Sequence, residues 1–205
     1  LIAKEGYPFI LAAAVAVLVL AIIPEGFLIF LLIVLLAFFI IFFRDPERRI
    51  PPFDDIALSG ADGKIVDITQ EEFSGEKFTK ISVFMNIFNV HVNRMPLSGK
   101  ITDITHKAGK FMPADKKESS FENEQNIITV ETKYGNAVFK QVAGLVARRT
   151  VCYAEKAMDV PMGDRLGIIK FSSRFDHYLP AGFHPAVTEG DKVKAGETVI
   201  ARYNG

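Results

Sequence analysis

Hydrophobic residues are distributed along this chain in two unlike ways. Up to Phe43 they form two nearly unbroken runs, Pro8 to Ile23 and Phe27 to Phe43, on either side of Pro24-Glu25-Gly26. At a rise of about 1.5 Å per residue, each run predicts a helix of roughly 25 Å, a little short of a typical hydrocarbon core. The Pro-Glu-Gly interruption predicts a turn between them, so residues 1–43 read as a transmembrane helical hairpin. Beyond it, Phe-Arg-Asp-Pro-Glu-Arg-Arg-Ile-Pro-Pro at 43–52 is a polar exit in which a helix cannot run far past Pro46. The pattern then changes to short runs rich in Val, Ile, Phe and Thr, bounded by Gly, Pro, Asp and Asn. These are Ile65–Ile68, Lys80–Phe84, Asn89–Asn93, Ile127–Val130, Ala137–Val142, Arg149–Tyr153, Gly167–Phe171 and Thr198–Ala201. Tyr134-Gly135-Asn136 between two of them predicts a hairpin. No long 3.6-residue period follows residue 44. The region 44–205 is therefore expected to be a mainly β (α+β), sandwich-like soluble domain, with a helical turn or two near 112–124.

Charge sharpens this division. The chain has 24 Lys+Arg and 24 Asp+Glu, but only Lys4, Glu5 and Glu25 fall within residues 1–43. The lack of a basic excess argues against a nucleic-acid partner. Lys4 precedes the hairpin and Arg44, Arg48 and Arg49 follow it, while the turn has no basic residue, so both ends are expected on the cytoplasmic side of the cell membrane. A cleaved signal peptide would have one shorter apolar core, which the second run opposes. A re-entrant hairpin that never crosses is the competing reading. The single cysteine, Cys152, makes neither an internal disulfide nor a cysteine-based metal site, and in an apolar β run it reads as a small core residue.

Candidate chemistry is sparse. His91, His106, His177 and His184 form no H-E-x-x-H pair, so no metal site is predicted, and no G-x-S-x-G string occurs. Asp62 lies in the turn Ser59-Gly60-Ala61-Asp62-Gly63-Lys64, where a plain turn aspartate would also be at home. His91 alternates with apolar residues in Phe88-Asn89-Val90-His91-Val92-Asn93-Arg94-Met95-Pro96. Phe171-Ser172-Ser173-Arg174-Phe175-Asp176 puts two hydroxyls at the end of an apolar run, a common place for turn-forming serines. Near the C-terminus, Glu189 to Val199 has the G-D-x-V-x-x-G spacing of half a biotinyl or lipoyl carrier domain, but no carrier lysine triplet accompanies it. That suggests a related β architecture without the carrier function.

Taken in order, these strings resemble the phosphatidylserine decarboxylase proenzyme family, in the short prokaryotic form shared with archaetidylserine decarboxylase-like enzymes. The resemblance spans nearly the whole chain. It includes Phe42-Phe43-Arg44-Asp45-Pro46, Asp62-Gly63, Phe84-Met85, Val90-His91-Val92-Asn93-Arg94-Met95-Pro96 with Gly99, and Gly109-Lys110-Phe111. Asn123-Glu124, Gln141-Val142-Ala143-Gly144, Ala147-Arg148-Arg149, Gly163, Arg165-Leu166-Gly167 and Lys170 to Asp176 with Tyr178-Leu179-Pro180 continue it.

The resemblance implies a lyase of phospholipid biosynthesis that makes its own cofactor. A proenzyme serine, Ser173 here, would attack the carbonyl of Ser172, and the resulting ester would break by β-elimination to leave a covalent pyruvoyl group. The products would be a β chain ending at Ser172 and an α chain covering 173–205, which stay together as partners. His91 and Asp62 match the base and its orienting carboxylate. The pyruvoyl ketone would then form a Schiff base with the phosphatidylserine head group and act as electron sink for loss of CO₂. His91 would serve as proton donor, and Arg148, Arg149 and Arg174 as candidate ligands of the lipid phosphate or serine carboxylate. The implied partners are the phospholipid substrate and the membrane, with homo-oligomerisation left open.

This sequence departs from the family's pattern twice. Ser172 stands where glycine is usual, and Arg94 stands near the position of a second histidine in long-form members. The alternatives are a membrane-anchored, non-catalytic biotinyl-like β domain and an unprocessed, inactive family member.

Overall fold

The computed structural model describes residues 1–22, 26–73, 75–109, 123–144, 150–170 and 173–204. It divides into two units, Leu1–Glu47 and Arg48–Gly205. In the first, the apolar runs form α1 (Tyr7–Leu20) and α2 (Gly26–Phe42). Pro8 lies in the first turn of α1, where a missing N–H costs nothing. The helices pack against each other, with the Phe9 ring 5.6 Å from Phe39 and 5.4 Å from Phe43. The two ends of the segment are tied by backbone hydrogen bonds, Ala3 N–H to the Phe43 carbonyl at 2.8 Å and Asp45 N–H to that of Leu1 at 2.7 Å. Both ends therefore lie together, as a hairpin requires. The transmembrane reading of this hairpin is not supported: the helices have 14 and 17 residues, and among the described residues no helix is long and apolar enough to cross a membrane. The Pro24-Glu25 part of the turn falls outside the described residues.

The second unit is β throughout its described residues. Its strands are β1 (Ile56–Leu58), β2 (Gly63–Phe73), β3 (Glu76–Met85), β4 (Val92–Arg94), β5 (Gly99–Lys107), β6 (Gln125–Thr132) and β7 (Gly135–Ala143). They continue with β8 (Thr150–Cys152), β9 (Asp159–Val160), β10 (Arg165–Ile169), β11 (Ser173–Pro180), β12 (Phe183–Pro185), β13 (Lys192–Val193) and β14 (Val199–Tyr203). An eight-stranded sheet runs β13-β2-β3-β11-β7-β6-β5-β9, and two three-stranded sheets run β1-β14-β12 and β4-β10-β8. All these pairings are antiparallel. A single buried cluster draws on all three sheets, with Ile81, Val83, Phe139 and Phe175 from the large one, Ala57 and Ile200 from the second, and Leu166 and Ile169 from the third. This is the layered β architecture expected.

Where structure and sequence reading differ, local physics explains it. The predicted hairpin is β6–β7, but its tip is Lys133-Tyr134, and Gly135 follows at φ +112°, a conformation that favours glycine. The strand β5 was not expected, because a bulge between Ile101 and Asp103 breaks its alternation and leaves Ile101 and Ile104 three apart. The largest correction concerns Ser173. It does not end an apolar strand but opens β11, a strand whose eight residues are all buried although four of them are Ser, Arg, Asp and His. The helical turn expected near 112–124 falls on residues outside the described set, except 123 and 124.

Candidate active site

Strand β11 lies between β3 and β7, with Ser173 opposite Met85 on one side and Ala143 on the other. Alternation sends Ser173, Phe175, His177 and Leu179 to the face of the common core. Ser173 is fully buried, and its Oγ has no hydrogen-bond partner among the described residues. A buried hydroxyl without a partner costs on the order of 1–3 kcal/mol, so its presence calls for an explanation other than stability.

The histidine expected beside it sits at the same end of the fold. Met85, opposite Ser173, ends β3, and the turn of residues 86–90 leads from it into His91. Asn93 on β4 donates its side-chain amide to Met85 Sδ at 3.7 Å. The His91 carbonyl accepts from Ile169 N–H at 3.3 Å, which docks it on β10, the strand that precedes Ser173 in sequence. His91 is fully buried, and its Nδ1 lies 2.9 Å from the Asn89 carbonyl oxygen. A carbonyl only accepts, so Nδ1 carries the proton and the lone pair resides on Nε2. That is the tautomer a general base needs.

Asp62 is held differently. Arg48 Nη2 lies 2.9 and 3.0 Å from its two carboxylate oxygens, and Ala195 N–H donates to Oδ1 at 2.8 Å. Among the described residues neither oxygen is bonded to a histidine. The turn that carries Asp62 is nevertheless fixed to both strands of interest. The Gly60 carbonyl accepts from Arg94 N–H at 2.9 Å, and Gly60 N–H donates to His177 Nε2 at 2.8 Å. A Cβ at Gly60 would run into the Phe175 ring, so only glycine permits this approach.

His177 is thus a residue that sequence reasoning passed over. Its Nδ1–H donates to the Ile81 carbonyl at 2.8 Å, which leaves Nε2 to accept from Gly60. Burial pushes its pKa down to about 4, against the smaller opposing pull of the Ile81 carbonyl and Asp176, so the ring is neutral at ordinary pH. The string Asp176-His177 in the middle of a strand was the available signal, an ionisable pair where apolar residues would be usual. Asn93 and Gln141 were missed too. Gln141 donates to Asn93 Oδ1 at 3.0 Å and accepts from Asn126 at 3.1 Å, giving a buried amide chain on the core side of β7.

The other face of β11 has a different character. Arg174 is fully buried, with Nε 2.6 Å from Asp176 Oδ1 and Nη2 3.1 Å from Ser82 Oγ. Its guanidinium therefore points away from the Ser173 face and is engaged with a carboxylate of its own strand. Lys80 pairs with Glu71 at 2.7 Å and Asp67 at 3.5 Å, and Lys140 donates to the Tyr178 hydroxyl at 3.1 Å. Burial pushes the Lys140 pKa down, opposed by the nearby Asp176 carboxylate. Arg148, Arg149 and Ser172 lie outside the described residues. Burial raises the Cys152 thiol pKa, which suits a packing role. Among the described residues no group of three or more His, Cys, Asp or Glu could hold a metal ion.

A fully buried serine with no hydrogen-bond partner among the described residues opens a central strand of this layered antiparallel β domain, and a histidine with its lone pair on Nε2 lies at the same end. Comparison with known proteins gives the chain a family. The family model described as phosphatidylserine decarboxylase matches residues 35–201. The phosphatidylserine decarboxylase proenzyme of Geobacter metallireducens is 44% identical over 207 residues, covering 97% of this chain and 95% of the relative. That of Citrifermentans bemidjiense is 45% identical over 208 residues, with the same coverage. The chain belongs to the phosphatidylserine decarboxylase family, a family of carboxy-lyases.

Proposed function

We propose that this chain decarboxylates phosphatidylserine to phosphatidylethanolamine with a pyruvoyl group formed from Ser173. The observation that carries the reading is the Ser173 hydroxyl, fully buried yet unbonded among the described residues. A side chain destined to become a ketone should be one whose loss breaks no hydrogen bond, and Ser173 meets that condition. Its residue type fits the group, and His91 at the same end of the fold, linked to it through Met85 and the 86–90 turn, supports the reading.

In the self-processing step, Ser173 Oγ attacks the carbonyl carbon of Ser172 as His91 Nε2 takes the hydroxyl proton. Collapse breaks the 172–173 peptide bond, and the proton goes to the departing nitrogen of residue 173. The ester then loses the α-proton of residue 173 and expels the Ser172 carboxylate. Addition of water and release of ammonia complete the change to pyruvoyl. The Asn89 carbonyl keeps His91 in the reactive tautomer. Asp62 contributes by fixing, with Arg48 and Ala195, the turn that Gly60 bonds to β4 and β11.

During turnover the pyruvoyl ketone supplies the electron sink for loss of CO₂. His91 delivers the proton to the substrate α-carbon, and the water-excluding walls are Met85, Ala143 and the Asn93–Gln141 amides. Arg148 and Arg149 remain the candidate ligands of the lipid's anionic groups, since Arg174 is engaged by Asp176. The α1–α2 hairpin attaches the chain to the cell membrane with its two ends on the cytoplasmic face. Support comes from its outward apolar side chains, such as Leu11, Leu18, Ile22 and Phe27, and from the flanking Lys4, Arg44, Arg48 and Arg49.

The test is a gel and a decarboxylation assay on three variants expressed in membranes. Ser173→Ala should remain one inactive chain. His91→Ala should lose activity, and an uncut chain would assign His91 to processing while a cut one would confine it to turnover. Ser172→Gly should process at least as fast as the parent. Chain splitting in Ser173→Ala would refute the reading.

A further inference from the structure

The turn that leads from β3 into His91 carries two apolar side chains on its outside. Ile87 is 41% exposed and Phe88 70%. The turn is built to hold them there. Asn86 N–H donates to Asn89 Oδ1 at 2.9 Å, Phe88 N–H to Asn86 Oδ1 at 2.9 Å, and Asn89 N–H to the Asn86 carbonyl at 3.1 Å. Two asparagine side chains thus satisfy the backbone donors that a tight turn leaves open.

The composition of this turn sets it apart from the ends of the β2–β3 and β6–β7 hairpins. From Ile81 to Asn93 there is no Lys, Arg, Asp or Glu. The β2–β3 end carries Glu72, Glu76 and Lys77, and the β6–β7 tip carries Lys133. A neutral apolar tip costs free energy in water and gains it at a lipid interface, where aromatic side chains are favoured and the turn's exposed polar groups can still be hydrated.

Its position gives the surface an occupant. Met85, just before the turn, is opposite Ser173, and His91 follows the turn by one residue beyond Val90. A phospholipid whose head group reacts there keeps its acyl chains in a bilayer, so lipid must approach this rim of the domain. We propose that the Asn86–Asn89 turn inserts the Ile87 and Phe88 side chains into the lipid interface beside the head group being decarboxylated. This rests on phosphatidylserine as substrate.

The chain has no tryptophan, so Phe88→Trp creates a single reporter in it. In vesicles of phosphatidylserine and phosphatidylcholine, brominated acyl chains should quench roughly half or more of its emission, with little access to aqueous acrylamide. Emission untouched by brominated lipid and fully open to acrylamide would overturn the proposal. That readout does not depend on processing or turnover, so it stands apart from the decarboxylase reading. A kinetic arm compares phosphatidylserine in vesicles with a short-chain monomeric analogue. For Ile87→Asn the ratio of kcat/KM on vesicles to that on monomers should fall about tenfold, the effect of one apolar side chain losing its burial. An equal loss on both substrates would mean damage to the site and contradict insertion. Failure of the parent protein on both substrates would count against the decarboxylase reading instead.

Discussion

The two faces of β11 solve opposite problems with the same strand. On the core face, Ser173 lies between Met85 and Ala143 with no hydrogen-bond partner for its hydroxyl among the described residues, and His177 is neutral with both ring nitrogens satisfied. On the other face, Arg174 and Asp176 pair within the strand, while Lys80, Lys140, Glu71, Asp67 and Tyr178 surround them. The charges of that second face are matched in sign and held close, which offsets the cost of removing them from water. The contrast shows where the strand is held: ion pairs and hydrogen bonds fix the charged face and His177, while the Ser173 hydroxyl has no partner among the described residues.

Breaking the charged face should have the largest effect on stability. Asp176→Ala strands the buried Arg174 guanidinium and should cost about 3–5 kcal/mol in denaturant unfolding of the unprocessed Ser173→Ala background. The double change Arg174→Met with Asp176→Leu should recover much of that loss, because it removes both charges together. If the double variant is as unstable as the single one, packing rather than charge holds this face.

The next effect belongs to His177. Above pH 6.5 the imidazole is neutral in both folded and unfolded chains. As pH falls from 6.5 towards about 4, the unfolded ring gains a proton that the folded one refuses, so stability is lost across that window and the loss is complete below it. Its size is on the order of 3 kcal/mol. His177→Gln should flatten this part of the stability–pH curve, and an unchanged slope would contradict the assignment. A smaller change is expected for Lys140→Met. Burial already disfavours the Lys140 ammonium, so unfolding free energy should move by about 1 kcal/mol at most. Ser173→Ala differs in sign: with no hydrogen bond to its hydroxyl among the described residues, removing that buried group should raise stability by about 1 kcal/mol. A large loss there would show that the hydroxyl is structural.

Much of this fold is legible in the sequence. The two apolar runs, the β6–β7 hairpin and the strands around Val83, Phe139 and Ile168 follow from hydrophobic pattern and turn chemistry. The proposed roles of Ser173 and His91 rest on ordered local strings rather than on periodicity. What escaped has a common cause. The strand β11 alternates Arg, Asp and Tyr with Ser, Phe and His, and a sequence does not reveal that both sets are buried when the partners of one set lie on β2, β3 and β7. The partner of Asp62 escaped for the same reason. Arg48 lies 14 positions away and Ala195 far beyond, so nothing local announces either bond. The link from His177 through Gly60 to β4 joins three segments distant in sequence and is visible only in three dimensions.

The central claim is that Ser173 is converted into the catalytic carbonyl. The most direct test is the intact mass of the purified full-length protein, measured before and after borohydride reduction. The account predicts two chains divided between residues 172 and 173, the C-terminal one starting at residue 173, lacking an α-amino group and gaining two hydrogens on reduction to a lactoyl end. A single unsplit chain, or a split chain with an ordinary serine at position 173, would contradict it.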